Sequence, residues 1–266
     1  MKNTQIISVI NQKGGVGKTT TVINLATAIA LQNKKVLIID LDPQGNASTG
    51  LGLYNSINNK NIYDVLNGNC NFKDAIKDTK IDNLKIVSSN VDLSGLEVET
   101  ASENRRAFLF NDKIQEYVKS QENQYAYIFI DCPPSLSLLT VMALVVAKSL
   151  IVPLQAEFFA LEGLSQLIKT IERIKIKLNP ELSIRGVLLT MFDKRNKLSG
   201  EVDTEARKFF NNKVYETVIP RNVRLSEAPS HGKPVLIYDK MSSGSKAYIS
   251  FAKEFLEQEK IMESAA

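Results

Sequence analysis

The feature that most constrains the fold is a glycine-rich loop between a short apolar run and an amphipathic segment. Its residues are Lys13, Gly14, Gly15, Val16, Gly17, Lys18, Thr19 and Thr20. Glycines remove the Cβ atoms that would block an anion, and backbone N–H groups at a helix N-terminus converge on it. The pattern therefore predicts a phosphate-binding loop, in which Lys18 reaches the β- and γ-phosphates and the Thr19 hydroxyl is a ligand of Mg²⁺.

The rest of the chain alternates short β-branched runs with helical stretches. Periodicity predicts strands at 6–10, 36–40, 84–87, 127–131, 150–153, 184–191 and 214–219. It predicts helices at 18–32, 105–118, 136–147, 161–178, 200–210 and 245–259. Strands separated by helices form βαβ units. We therefore expect an α/β fold of the P-loop NTPase type, with a mainly parallel twisted sheet and helices on both faces.

The length and composition favour a single domain over residues 1–266. No linker rich in Pro, Gly or Ser divides the chain, and 44% hydrophobic with 23% charged residues is ordinary for a globular protein. The polar, Asn-rich stretch 55–82 is expected to be a surface excursion with short helices. Because neither a signal peptide nor a run of 18 apolar residues is present, we expect a cytoplasmic protein without membrane attachment.

Carboxylates follow two of the predicted strands. Asp40 and Asp42 stand at the end of one, and Asp131 ends another. Ligands of open α/β sheets bind at the carboxyl ends of the strands, so these side chains should lie beside the phosphate loop. Phosphoryl transfer to water needs a group that orients the water and a metal that neutralises charge. Asp131 has the position of a Walker B aspartate, which holds Mg²⁺ through water.

The loop departs from the strict G-x-x-x-x-G-K-[ST] pattern, because Gln12 stands at its first position and a second lysine, Lys13, precedes the glycines. In this it resembles the deviant Walker A box of the ParA/MinD family of ATPases. The resemblance implies ATP as the nucleotide. It also implies that Lys13 contacts the nucleotide of the partner subunit in a dimer, and that Asp42 orients the attacking water. We assign Asp40, with Thr19 and Asp131, to the Mg²⁺ shell.

A second resemblance concerns residues 219–234, which are similar to the family's loop on the adenine side. It implies that Pro220 and Asn222 contact the nucleotide, and no Asn-Lys-x-Asp guanine motif is present. The likeness covers 7–52, 91–99, 127–166 and 186–239, and it is poorest at 55–84. The chain resembles the short chromosomal ParA (Soj) type in particular. Because the phosphate loop begins at residue 13, we expect no helix-turn-helix domain ahead of it.

The net charge of +4 is concentrated in one segment. Residues 185–224 hold nine Lys or Arg and five Asp or Glu, an excess equal to that of the whole chain. Cations without stacking aromatics suit contact with a phosphate backbone, with no reading of sequence. An ordinary solvated surface is the alternative, and the family resemblance favours DNA. The candidate contacts are Arg195, Arg221 and Arg224, supported by Lys194 and Lys197.

The resemblance implies a chromosome- or plasmid-partitioning ATPase with weak intrinsic activity. An ATP-bound homodimer would bind double-stranded DNA nonspecifically and be released when a ParB-type partner stimulates hydrolysis. A MinD-like, membrane-cycling regulator is the alternative, but residues 253–266 hold two Lys and four Glu, which does not suit anionic lipid. A cluster-bearing ATPase of the nitrogenase iron-protein kind needs two cysteines. Here Cys70 lies in the polar excursion, and Cys132 is expected to be a small buried residue.

Overall fold

A computed structural model describes residues 4–53, 60–120, 124–157 and 160–265. Its strands form one sheet. They are β1 (Gln5–Val9), β2 (Val36–Asp40), β3 (Ile76–Asp78), β4 (Leu84–Val87), β5 (Tyr127–Asp131), β6 (Ser149–Gln155) and β7 (Ser183–Thr190). The spatial order is β3-β4-β2-β5-β1-β6-β7. All neighbouring strands are parallel except β3 and β4, which are antiparallel. The predicted mainly parallel sheet is confirmed.

Helices connect the strands. They are α1 (Lys18–Ala30), α2 (Asn46–Gly50), α3 (Ile62–Leu66), α4 (Leu96–Glu99), α5 (Leu109–Lys119), α6 (Leu138–Val146), α7 (Ala160–Lys177), α8 (Lys197–Phe210), α9 (Val223–Glu227), α10 (Val235–Tyr238) and α11 (Ser243–Ala265). In the described part of the chain, none of them has both the length and the apolar composition needed to cross a membrane.

The sheet is covered on both faces because successive side chains of a strand point in opposite directions. On β1, Ile7 belongs to a core shared with α1 and α11, whereas Ile6 belongs to a core shared with α5 and α6. A third core lies between β6, β7, α7 and α8. Helices on both faces of a buried parallel sheet explain why its strands are continuously apolar.

The predicted strand at 214–219 is not formed. Val214 and Pro220 make only isolated bridges, to Val187 and Phe192. The carboxylate of Glu254, on α11, instead accepts the backbone N–H groups of Glu216 and Thr217, at 2.7 and 2.9 Å. A side chain thus satisfies donors that a further strand would have used, and Pro220 has no N–H to offer.

The expectation of a surface excursion at 55–82 is also wrong in part. Residues 54–59 lie outside the described residues, and the short helix α3 agrees with the prediction. Ile62, Val65 and Phe72 are nevertheless buried in the core beside α5. The segment then forms β3, an antiparallel edge strand that the sequence did not predict. The stretch is therefore part of the packed domain.

A buried ion pair fixes the last helix to the sheet. Arg185 of β7 and Glu259 of α11 are joined at 2.7 Å, and their side chains are 4% and 10% exposed. The guanidinium of Arg185 also donates to the carbonyl of Phe255 and lies 4.0 Å from the centre of that ring. A buried cation held in this way needs its carboxylate, because water cannot replace it.

We expect Glu259→Leu to lower the free energy of unfolding by about 3–5 kcal/mol, since it leaves the Arg185 charge buried without its partner. Urea denaturation measures the loss. Glu257→Leu is the matched control, because Glu257 is exposed on the same helix and should change stability by less than about 0.5 kcal/mol. Equal losses in the two variants would contradict the anchoring role of the ion pair.

Candidate nucleotide-binding site

The phosphate loop joins β1 to α1 and is fixed to the neighbouring strands by side chains. Asn11 accepts a hydrogen bond from the N–H of Lys13 at 3.0 Å and donates to the carbonyl of Pro153, on β6, at 2.8 Å. The hydroxyl of Thr190, at the end of β7, donates to the carbonyl of Val16 at 2.8 Å. The loop is therefore held in shape by β6 and β7 as well as by its own strand.

Two glycines give the loop its curvature. Gly15 and Gly17 have φ angles of +73° and +91°, a region that L side chains rarely adopt. Gly17 precedes α1, and no side chain of the described residues caps that helix. The N–H groups of its first turn are therefore available to an anion, with the positive end of the helix dipole behind them.

Lys18 lies at the base of this cradle. Its side chain is almost fully buried, and its ammonium donates to the carbonyl of Lys13 at 3.1 Å. Burial lowers the pKa of Lys18, and the nearby carboxyls of Asp131 and Asp42 act in the opposite direction. A buried ammonium among backbone amides is suited to hold a phosphate.

Asp131 is the carboxyl group that most needs a cation. It is fully buried at the end of β5, and neither of its oxygens has a hydrogen-bond partner among the described residues. Burial, and then the neighbouring Asp40, raise the pKa of Asp131 well above its usual range, while Thr19 and Lys18 act to lower it. Two unbonded oxygens beside a phosphate cradle fit Mg²⁺, which is usually held by one or two carboxylates with water and phosphate.

The described residues contain no group of three or more His, Cys, Asp or Glu that could hold a metal ion by itself. The side chain of Thr19, the first-turn residue after Lys18, lies close enough to Asp131 to lower its pKa. Thr19 and Asp131, both predicted from the sequence as metal ligands, are thus brought together.

Asp40 and Asp42 have different surroundings. Asp42 lines the cavity beside the phosphate loop, and its carboxylate accepts the N–H of Gln44 at 3.0 Å. Asp40 is fully buried, and its oxygens accept hydrogen bonds from Ser48 and from the N–H of Asp42. Burial raises the pKa of Asp40 to about 6. Asp40 is paired with Asp131 in the sheet register, and of the three aspartates only Asp42 lines the cavity.

The cavity has a volume of about 540 Å³, within the range of small-molecule sites. One wall is the phosphate loop with Asp42 and Pro134. The other wall consists of Asn24 and of the later loop, residues 219–234, with the start of α10. The lining residues of this later part are Ala228, Pro229, Ser230, Lys233, Pro234 and Val235. A cleft with an anion cradle at one end and a mainly apolar wall at the other suits a nucleotide.

Pro220 and Asn222 belong to the same later loop but are not among the residues that line the cavity. The side chain of Asn222 accepts the N–H of Leu225 at 3.3 Å and donates to the hydroxyl of Ser243 at 2.9 Å. It thereby caps α9 and ties the loop to the start of α11. Their contact with nucleotide stays a prediction.

The sequence missed the residues that hold the site in place. Asn11, Thr190 and Ser48 belong to no motif, and their partners lie far along the chain or in another loop. The one local signal that could have found any of them is the position of Asn11 directly after the first predicted strand. Lys13, in contrast, was predicted. Its side chain is 47% exposed at the outer side of the loop, where it forms an ion pair with Glu157.

The structure brings two of the three candidate DNA-binding arginines onto one surface. The N–H of Arg221 donates to the carbonyl of Phe192 at 3.2 Å, so the segment after β7 and the segment before α9 lie side by side. Arg195 is 90% exposed and makes a two-point contact with Asp193, at 3.1 Å for both bonds. Arg224 lies on α9, where it pairs with Glu227 and Asp239.

Comparison with known proteins agrees with this geometry. A family model described as an AAA domain matches residues 4–184. The chromosome partitioning protein ParA of Caulobacter vibrioides is 50% identical over 262 residues, which cover 98% of this chain and 97% of that protein. The sporulation initiation inhibitor protein Soj of Bacillus subtilis is 47% identical over 250 residues, or 94% of this chain and 97% of that protein.

A solved structure of similar shape is the cobyrinic acid a,c-diamide synthase of Mycobacterium smegmatis with a bound ATP analogue and magnesium. It has a TM-score of 0.85 and 31% identity, covering 97% of this chain and 96% of that one. Fold and site together define a P-loop protein of the α/β class. The chain belongs to the ParA/MinD family of ATPases, together with the ParA and Soj relatives described above.

The buried carboxyl of Asp131 is predicted to lower the stability of the ligand-free protein. We expect Asp131→Asn to raise the free energy of unfolding of the ligand-free protein by about 1–2 kcal/mol at pH 8, because it removes an ionisable group from a buried position. Since the folded-state pKa of Asp131 is raised, the parent loses stability as the pH rises from about 4. The gain should therefore be smaller at pH 5.

Urea denaturation without nucleotide or Mg²⁺, at pH 5 and pH 8, measures this difference. Asp82→Asn is the control, because Asp82 is exposed and its neutralisation should change stability by less than about 0.5 kcal/mol. A variant Asp131→Asn that is no more stable than the parent at pH 8 would show that the buried carboxyl is not a source of strain.

Proposed function

We propose that this chain is an ATP-dependent partitioning ATPase that hydrolyses ATP to ADP and phosphate with weak intrinsic activity. The observation that carries the proposal is the unbonded, buried carboxyl of Asp131 beside Lys18 and the phosphate loop. The similarity to ParA and Soj proteins over nearly the whole chain supports the role in partitioning. ATP fits the cavity through the phosphate cradle, and the free oxygens of Asp131, near Lys18 and Thr19, suit Mg²⁺.

Each part of the reaction has a residue suited to it. The N–H groups at the start of α1 and the ammonium of Lys18 bind the β- and γ-phosphates. The Thr19 hydroxyl and Asp131 would hold Mg²⁺, and the bound ion would supply positive charge beside the transferred phosphoryl group. Asp42 lies on the cavity wall with one oxygen bonded to Gln44, and it orients the attacking water.

Lys13 is the residue suited to act between subunits. It lies on the outer side of the loop and is half-exposed, so it can reach beyond its own cradle once it leaves Glu157. In the proposed ATP-bound homodimer it contacts the nucleotide of the partner subunit. ATP binding thereby promotes dimerisation, because the partner's phosphates supply the charge that replaces the carboxylate of Glu157.

The basic surface of Arg195 and Arg221, with Arg224 beside it, is proposed to bind double-stranded DNA without sequence preference. Dimerisation doubles this surface, so that nonspecific contacts add up. Hydrolysis, stimulated by a ParB-type partner bound to its own DNA site, returns the protein to a weakly bound monomer. The proposed location is the cytoplasm, in association with the nucleoid.

The first prediction of this proposal concerns the switch. Asp42→Ala should bind ATP with Mg²⁺ but lose hydrolysis by at least about 100-fold, because the water is no longer oriented. The variant should accumulate as an ATP-dependent dimer in light scattering. Lys13→Ala is the contrasting variant, which should bind ATP in calorimetry and stay monomeric.

Two results would count against these assignments. Parental turnover by Asp42→Ala would exclude this residue as the water-orienting group. An ATP-dependent dimer formed by Lys13→Ala would remove the proposed role between subunits.

The second prediction concerns DNA. Arg195→Glu and Arg221→Glu should each weaken binding to any duplex sequence, since each turns an attraction to phosphate into a repulsion. The slope of log affinity against log salt should become shallower by about 0.9 for each phosphate that the variant no longer neutralises. Fluorescence anisotropy with ATP, at several salt concentrations, measures both quantities.

Arg173→Glu is the matched control, because Arg173 is exposed on α7, outside this basic surface, and carries the same charge change. ATP binding is measured for each variant, because Arg221 stands between Pro220 and Asn222. If the control weakens DNA binding as much as Arg195→Glu does, net charge rather than this surface governs the interaction.

A further inference from the structure

β2 leads into a short loop, and the buried side chain of Asp40 forms hydrogen bonds to both ends of it. The loop runs from Leu41 to Gly45 and continues into α2. Asp42, the proposed water-orienting residue, lies within it and lines the cavity. The position of Asp42 therefore depends on what fixes this short segment.

Asp40 fixes both ends of the segment. One of its oxygens accepts two hydrogen bonds from Ser48, from the N–H at 2.8 Å and from the hydroxyl at 2.7 Å. The other oxygen accepts the N–H of Asp42 at 3.3 Å. A charged acceptor makes such bonds stronger than neutral ones. The carboxyl of Asp40, at the end of β2, is thus bonded both to Asp42 inside the turn and to Ser48 after it.

Ser48 also connects Asp40 to a third segment of the chain, the residues that follow β4. Its hydroxyl donates to Asp40 and accepts the N–H of Ser89, which follows β4, at 3.3 Å. Gly45, at the top of the turn, has a φ of +62°, and an added Cβ there would lie 3.4 Å from the carbonyl of Ser89. The loop is therefore packed closely against the chain after β4.

The two neighbouring aspartates differ in a way that separates their roles. Both are fully buried, but Asp131 has two oxygens without partners among the described residues, whereas both oxygens of Asp40 are engaged. A metal ligand needs free lone pairs directed at the ion. The oxygens of Asp40 are used by the loop, whereas those of Asp131 stay free beside Thr19 and Lys18.

We propose that Asp40 and Ser48 form a positioning pair that holds Asp42 in place for hydrolysis, and that Asp40 is not a ligand of Mg²⁺. This inference rests on the proposed role of Asp42. It assigns to Ser48 a part in the reaction through Asp40, without contact to the nucleotide. A small displacement of a catalytic group lowers the rate of the chemical step more than the affinity for substrate.

The test is Ser48→Ala in the full chain. We expect kcat to fall by about 10- to 100-fold, with the KM for ATP and the Mg²⁺ concentration for half-maximal activity within about twofold of the parent. Ser48→Thr keeps the hydroxyl and should retain at least half of the parental kcat. Ser245→Ala is the matched control, because Ser245 is fully buried and its hydroxyl has no partner in the described structure.

A second readout does not depend on activity. In the protein without nucleotide, amide hydrogen exchange at Ser89 should be faster by at least about fivefold in Ser48→Ala, because that N–H loses its acceptor. Ser48→Thr and Ser245→Ala should exchange there as the parent does. Exchange at Ser89 that is unchanged in Ser48→Ala would overturn the proposed connection.

Three kinetic results would overturn the positioning pair. They are a parental kcat in Ser48→Ala, a loss of Mg²⁺ affinity in place of kcat, and a Ser48→Thr variant with less than half of the parental kcat. Asp42→Ala, measured beside them, separates this inference from the proposed function. If Asp42→Ala turns over ATP at the parental rate, the role of Asp42 itself fails. If only Asp42→Ala is inactive, the positioning pair alone fails.

Discussion

Two carboxyl groups buried side by side are the constraint on which the site depends. The parallel pairing of β2 with β5 sets Asp40 directly beside Asp131, and both are removed from water. Such a pair is unfavourable unless hydrogen bonds or cations compensate it. The fold compensates the two carboxyls differently. Asp40 accepts hydrogen bonds from Ser48 and the Asp42 amide, whereas Asp131 has only the nearby Lys18 and Thr19 to stabilise its charge. The uncompensated charge of Asp131 therefore favours binding of a cation there.

The sequence predicted the centre of the sheet well and its margins poorly. The predicted bounds of β2, β4 and β5 agree residue for residue with the structure, because buried parallel strands are continuously apolar and end at polar residues. β3 was not predicted, and the strand predicted at 214–219 is not formed. Their state is decided by β4 and by Glu254 of α11, which lies 37 and 38 positions from the amides it accepts. No local pattern contains that information.

The candidate site divides in the same way. The phosphate loop and the three aspartates could be found from the sequence, because a motif and the ends of strands are local features. The residues that hold them could not. Thr190 lies 174 positions from Val16, and Asn11 lies 142 positions from Pro153. Their polar side chains act only because the sheet brings these loops to one edge, which follows from strand order rather than from spacing.

The last helix connects the parts that the proposed switch has to coordinate. On α11, the hydroxyl of Tyr248 is 3.1 Å from that of Thr21, one turn into α1, and Ser243 accepts from Asn222 in the loop beside the cavity. Glu254 holds the amides that lead to Pro220 and Arg221. The helix after the phosphate loop and the segment that leads to the basic surface thus both contact α11, which is itself anchored to β7 through Glu259. Movement of the loop at 220–224 relative to α1 must therefore break bonds to α11 or shift that helix. This gives nucleotide binding a physical route to the proposed DNA-binding surface.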